Sequence, residues 1–321
     1  MFDCGCTTDY RPSAIFITHS HLDHIQSLPN TILNVITTAP KNVTNKIVLL
    51  TVYCPASSLT SIINYVNTTI GVSKNKIDYK VPDYIRFVAA NVDSLIPVKI
   101  NNSTYIVRVF KCDHSTSTNG YGLIRVTKKI KKSIAAQIKG LTMDEIEQIS
   151  MQNNGKITFT SVEQKKLCDL TSQGEQINED SETPIMCFLG DTTTNVFTRN
   201  PDIFKYNIIF TECTFIGDKD EEQKAKKDKH THVNQLIPIL TKHPNIKFIL
   251  YHFSAKYDRK IIEQMFAQFQ NVKCVFPDSS LIDRNSHFHD SDGHQYSDDQ
   301  NESDHNDDHE SDHIDDDNES N

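Results

Sequence analysis

Residues 19–24 read His19-Ser20-His21-Leu22-Asp23-His24 and follow a short β-branched run, Ala14-Ile15-Phe16-Ile17-Thr18. Three imidazoles and a carboxylate within six residues form a ligand-dense segment, and nitrogen and carboxylate oxygen donors suit zinc. A turn at a strand end can point His19 and His21 at one ion. Asp23 and His24, at the start of the next helix, can then face a second. The bland alternative is a polar surface turn that happens to hold three histidines, and the spacing argues against it. Four ligands do not close two sites, so further donors are expected at other strand ends. His114 follows a strand-like run at 105–110, Asp191 follows one at 184–189, and His252 ends one at 247–251. Each alone reads as a capping or surface residue. Three at equivalent positions, with the first turn, read as one site.

These donors need a scaffold that gathers strand ends. Short apolar runs at 14–18, 47–53, 85–89, 105–110, 121–127, 156–160, 184–189, 207–211, 247–251 and 272–276 read as strands. Helical spacing is expected over 257–270 (Ile261, Ile262, Met265, Phe266, Phe269), around Val233, Leu236, Ile237 and Leu240 despite Pro238, and over 57–66. The polar stretch 171–184 reads as a surface loop. Strands with interleaved helices predict an α/β protein whose helices cover its sheets.

The 321 residues carry a net charge of −9, unevenly placed. Positions 283–321 hold 15 acidic residues against one arginine, and the remaining 282 residues carry 32 basic and 27 acidic side chains, a net of +5. The segment 283–321 is rich in Asp, Asn, Ser and His, has little to bury, and is expected to be a disordered acidic tail. The expected organisation is thus one domain over 1–282 followed by that tail. No run of about 18 apolar residues exists, so no membrane partner is expected. The first residues do not form a secretory signal, and the eight cysteines read as intracellular thiols.

The segment 19–24 resembles the signature of the metallo-β-lactamase superfamily. Further segments resemble its ribonuclease Z branch, the tRNA 3′-end endonucleases. Phe188-Leu189-Gly190-Asp191-Thr192 is similar to a Gly-Asp-Thr motif, Thr211-Glu212-Cys213-Thr214-Phe215 to a Glu-Ala-Thr-Phe segment, and His252-Phe253-Ser254-Ala255-Lys256-Tyr257 to a His-Phe-Ser-x-Arg-Tyr ending. Lys229-His230-Thr231-His232-Val233-Asn234-Gln235 is similar to the histidine motif, in its short plant-type form. The resemblance covers positions 2–277. It implies a four-layer αβ/βα sandwich with two Zn2+ per chain. By the same resemblance His19, His21 and His114 would hold one zinc, Asp23, His24 and His252 the other, and Asp191 both. Asp23 would also serve an attacking water, and His230, held by Glu212, would act as general acid, with His230 preferred to His232 on its spacing to Gln235.

The family carries a protruding RNA-gripping arm inserted after a Gly-Tyr strand. Here Gly120-Tyr121-Gly122 leads toward Lys128, Lys129, Lys131 and Lys132, so the arm is expected over 128–150, with those lysines on phosphates. Two departures stand out. Gln26-Ser27 replace two small residues, and Gln26 is expected to crowd the turn. Only Met1 precedes the segment Phe2-Asp3-Cys4-Gly5, where relatives have a first pair of strands: either that hairpin is missing or the sequence is a truncated reading, and a complete chain is expected to be fragile or supported as a homodimer. The leading expectation is a zinc-dependent endoribonuclease on precursor tRNA 3′ trailers, working inside the cell in cytoplasm or nucleus. The alternatives are a class II cyclic-nucleotide phosphodiesterase, which shares His-x-His-Leu-Asp-His, and an inactive RNA-binding paralogue.

Overall fold

A strand that must bury both faces needs apolar side chains on both, and Ile15, Phe16 and Ile17 supply them without a break. In the computed structural model, which describes residues 1–276 except 9, 42–46, 102 and 154, this run is β1 (Ala14–Phe16). There follow α1 (Leu22–Ile25), α2 (Leu28–Thr37), β2 (Leu50–Cys54), α3 (Leu59–Ser73) and β3 (Ile85–Ala89). β1, β2 and β3 form a parallel three-stranded sheet. Then come β4 (Leu95–Ile100), β5 (Ser103–Lys111), β6 (Asn119–Ile130), α4 (Lys132–Lys139), α5 (Met143–Gln152), α6 (Ser161–Ser172) and β7 (Asn178–Phe188). The remainder is α7 (Asn195–Arg199), β8 (Ile208–Glu212), α8 (Lys219–Asp228), α9 (Val233–Lys242), β9 (Lys247–Tyr251), α10 (Arg259–Phe266) and β10 (Val272–Cys274).

The second sheet has the order β10-β9-β8-β7-β6-β5-β4, with β7 to β10 parallel and β4 to β7 antiparallel. Three apolar clusters define four layers. Leu28, Ile32, Ile62 and Val66 of α2 and α3 pack on Ile15, Leu50 and Val52 of the small sheet. Phe16 of that sheet meets Val107, Val109 and Tyr121 of the large one. Val196, Leu236, Leu240, Ile262 and Phe266 cover the large sheet's other face over Cys187, Ile209 and Phe248. The architecture is the expected αβ/βα sandwich. Since β5, β7, β8 and β9 run the same way, their C-terminal ends lie along one edge.

Several expectations are corrected. Segment 156–160 is not a strand; Ile157 and Phe159 instead pack on a small core of Ala135, Ala136 and Ile146. The expected loop over 171–184 is partly β7, because residues 178–183 pair with the far end of β6. β4 was hidden by Pro97, tolerated because β4 is an edge strand. The excursion expected over 128–150 spans 131–177, with α4, α5 and α6 carried on the extended β6–β7 pair. Gln26 crowds nothing: it sits in helical conformation and its side-chain amide donates to the Gly5 carbonyl at 2.9 Å. Residues 1–3 line the free edge of β1, Phe16 N donating to Met1 O and Asp3 N to Phe16 O, each at 2.9 Å. Met1–Phe276 is one compact unit. The acidic tail over 283–321 and the boundary at 282 lie outside the described residues. Among the described residues no helix is long and apolar enough to cross a membrane.

Candidate metal centre

The strand ends deliver their donors to one point. β1 runs out into His19 and His21, β5 into the loop carrying His114, β7 into Gly190 and Asp191, β8 ends on Glu212, and β9 gives way to His252. Gly190 lets two of these segments touch, since a Cβ there would come within 2.6 Å of the Thr18 side chain. His252 has φ +63°, a conformation that side chains rarely adopt and that is held where surrounding structure dictates it.

Two four-membered groups of ligand atoms result, His19, His21, His114 and Asp191, and Asp23, His24, Asp191 and His252, beside a third group of three, Glu212, His230 and His252. Asp191 belongs to both four-membered groups. In the first, His21 Nδ1 lies 3.0 Å from His19 Nε2 and 3.4 Å from His114 Nε2, and Asp191 Oδ2 lies 3.7 and 4.0 Å from those two Nε2 atoms. In the second, Asp23 Oδ2 is 3.4 Å from His24 Nε2 and 3.1 Å from His252 Nε2. Asp191 Oδ1 is 3.5 Å from His24 Nε2, and its Oδ2 is 3.4 Å from His252 Nε2. Ligands at about 2.0–2.1 Å from a tetrahedral ion sit about 3.3 Å apart, which matches these spacings. His24 Nε2 and Asp191 Oδ1 are buried without a hydrogen-bond partner among the described residues. Buried polar atoms without a partner call for a missing one, and the nitrogen and carboxylate donors around them fit a divalent metal.

The imidazoles are oriented from behind. Asp3 accepts from Thr18 N (2.7 Å), Thr18 Oγ1 (2.8 Å) and His24 Nδ1 (2.7 Å). Thr18 Oγ1, having donated its proton, accepts from His19 Nδ1 at 3.0 Å. His114 Nδ1 donates to Lys229 O at 3.0 Å, and Thr214 Oγ1 lies 3.0 Å from His252 Nδ1. In each ring Nδ1 is committed behind and Nε2 faces the site, the arrangement that orients a ligand. Asp3, Thr18, Thr214 and Lys229 were not picked out as functional from sequence. Asp3 and Thr214 do lie inside quoted motifs, where a polar residue next to a ligand-bearing segment was the available signal.

Beside the ligands, His230 Nδ1 donates to Glu212 Oε1 at 2.9 Å. Glu212 is fully buried and also accepts from Thr192 N, Thr231 N and Thr214 Oγ1. His232 is occupied otherwise: its Nδ1 accepts from Asn234 N as the cap of α9, and its Nε2 lies 3.2 Å from Gly217 O. Among the described residues His230 is therefore the histidine of that pair whose Nε2 makes no hydrogen bond.

Burial and the neighbouring His24, opposed by Asp191, push His19 down to about 3, and burial also lowers His114. Burial would lower His24 as well, but pairing with the carboxylates of Asp191, Asp23 and Asp3 carries it up to about 12. Burial works against protonation of His230 too, yet Glu212 raises it above the ordinary imidazole value. Asp23 is held well below the carboxylate range by hydrogen bonds from His24 and His252.

The lysines stand apart. Lys128 and Lys129 are on the distal half of β6, Lys131 caps α4 and Lys132 opens it. Lys128 pairs with Asp180 at 2.6 Å and Lys132 with Glu147. Nine or more residues beyond Asn119, where β6 (12 residues) begins near the centre, they lie roughly 30 Å or more away at about 3.4 Å per residue.

No family model matches the chain. It is 25% identical to tRNase Z TRZ1 of Arabidopsis thaliana over 78% of this chain and 75% of that protein. It is 27% identical to a ribonuclease Z of Listeria innocua over 88% of this chain and 85% of that protein. The crystal structure of human tRNase Z, short form, is similar at a TM-score of 0.45 and 14% identity, covering 85% of this chain and 84% of that one, a likeness too distant to assign a role to any residue. Over most of its length the chain resembles, in sequence, the ribonuclease Z branch of the metallo-β-lactamase superfamily.

Proposed function

We propose that this protein is a zinc-dependent endoribonuclease that removes 3′ trailers from precursor tRNA inside the cell. The observation that carries the reading is the membership of Asp191 in both ligand groups, with the Glu212–His230 pair on the same rim. The relatives named tRNase Z and ribonuclease Z support the RNA substrate. His19, His21 and His114 would hold one zinc, Asp23, His24 and His252 the other, and Asp191 both. When bound there, the two ions would supply Lewis-acid stabilisation of charge on the entering and leaving oxygens of an in-line displacement.

The chain's own residues do the rest. The Asp23 side chain is 59% exposed, so it reaches the substrate side and orients, or takes a proton from, the attacking water. Cleavage at phosphorus releases the RNA 3′ oxygen, which needs a proton. His230 delivers it from Nε2 while Glu212 holds the Nδ1–H and stabilises the charged ring. Lys128, Lys129, Lys131 and Lys132, at the base of the α4–α6 excursion, would hold backbone phosphates of the folded RNA away from the scissile bond. A homodimer belongs to the same reading, supported by the open β4 edge, where Leu95 and Ile100 are exposed.

Precursor tRNA incubated with the zinc-loaded protein should yield a product with a free 3′ hydroxyl. Absence of cleavage with metal bound would contradict the proposal, and faster hydrolysis of cyclic AMP would transfer it to the cyclic-nucleotide class. Sedimentation at micromolar concentration tests the dimer.

A further inference from the structure

Beside the metal centre, behind the loop that carries His114, lies a second cleft of about 680 Å³. Three cations line it: Lys111 at the end of β5, Arg199 at the end of α7, and Lys229, whose carbonyl holds His114. The fold brings the first two together, since Asn200 Nδ2 donates both to Lys111 O (3.1 Å) and to Val196 O (2.9 Å). One acidic side chain, Asp113, lines the same cleft, and it is already served. Its Oδ2 accepts from Thr193 Oγ1 at 3.0 Å and Asn195 Nδ2 at 3.2 Å, and its Oδ1 accepts from Lys229 Nζ at 3.4 Å, with Arg199 farther off at 4.0 Å. The cleft also contains Thr116, whose Oγ1 is buried with no hydrogen-bond partner among the described residues. Three cations against one satisfied carboxylate, with an unpartnered hydroxyl, make a receptor for an anion.

We propose that Lys111, Arg199 and Lys229 bind one backbone phosphate of the RNA strand next to the scissile bond, so that this cleft sets the path of the strand through the centre. The inference rests on the ribonuclease reading and deepens it: His114, a member of the first ligand group, itself lines this cleft, so the cleft adjoins the centre. Contacts of this type add affinity and position without reading sequence.

The test is the double variant Lys111→Gln/Arg199→Gln, in which both substituted side chains are exposed and neither is placed in the ligand set. Binding of fluorescent precursor tRNA is measured against salt concentration. The slope of log K on log salt should become shallower by about 0.7, one single-strand phosphate. KM for precursor should rise about tenfold or more with kcat within twofold, while hydrolysis of bis(p-nitrophenyl) phosphate should not change. An unchanged slope and KM would overturn the inference, as would an equal loss on the small diester, which would mean that the cations act on the centre itself. Binding of mature tRNA separates the sources: unchanged affinity places the phosphate in the trailer, weakened affinity in the acceptor end. Should the wild type bind but not cleave, the ribonuclease reading falls while the slope still decides this one.

Discussion

The proton on His24 distinguishes the two ligand groups. His19 and His114 have lowered pKa values and are neutral at pH 7, ready to donate lone pairs. His24 is raised to about 12, so without metal it is an imidazolium among carboxylates. A cation entering beside it must displace that proton. His252 in the same group is raised as well. Calorimetry in buffers of different ionisation enthalpy should therefore find two binding phases, the one at His24 and His252 releasing more protons at pH 7 and strengthening more as pH rises than the other. The His24 pairing stabilises the metal-free fold fully below pH about 6.5 and is lost as pH climbs toward 12, whereas Asp23, with its pKa lowered, contributes above about 3.8 and is lost on acidification. Asp3→Asn should cost about 10–100-fold in metal affinity, because it loosens His24 and Thr18 together. His230→Ala should lower kcat about 10²–10⁴-fold with the melting curve unchanged, whereas an RNA-binding paralogue would be indifferent. Since Glu212 raises the pKa of His230, Glu212→Gln should move the alkaline limb of the pH–rate profile to lower pH. The seven residues gathered in the two candidate groups were legible in the sequence because metal donors are few in type and sat at strand ends. Asp3 and Thr214 were not, because an orienting residue is defined by which ring nitrogen it meets, and that is a fact of three dimensions.

At the scale of elements, the strands carrying ligands were legible because continuous β-branched runs mark buried strands. β4 and the proximal part of β7 were not: one contains Pro97, and the other is a polar run, Asn178–Thr183, whose pairing with β6 faces solvent on the excursion. The helices α4 to α6 escaped notice because each buries only one to three side chains. Two capping boxes, Thr142 with Glu145 and Thr160 with Glu163, were the signal available for α5 and α6. Ile146 is fully buried in the small core that joins them. Ile146→Ala should destabilise the excursion by about 2–5 kcal/mol. Hydrogen exchange should show the loss confined to residues 131–177, with precursor binding weakened and small-diester hydrolysis intact. A uniform loss of protection would mean that the excursion does not fold as a separate unit.

Across the whole molecule, charge is divided between a +5 body and a −14 segment at 283–321. Deleting that segment should tighten RNA binding at low salt and do little at high salt, where screening removes the repulsion; unchanged affinity at low salt would remove any role for it in RNA release. The four layers follow from three apolar interfaces, and the donors converge because the parallel strands end along one edge. All of this turns on a single centre formed from ligands more than 200 residues apart in sequence. Anomalous diffraction at the zinc edge, on crystals of the zinc-loaded protein, tests it most directly. The account predicts two peaks about 3.5–4 Å apart with one Asp191 oxygen on each or a shared oxygen between them. A single peak, or two that do not both contact Asp191, would contradict it.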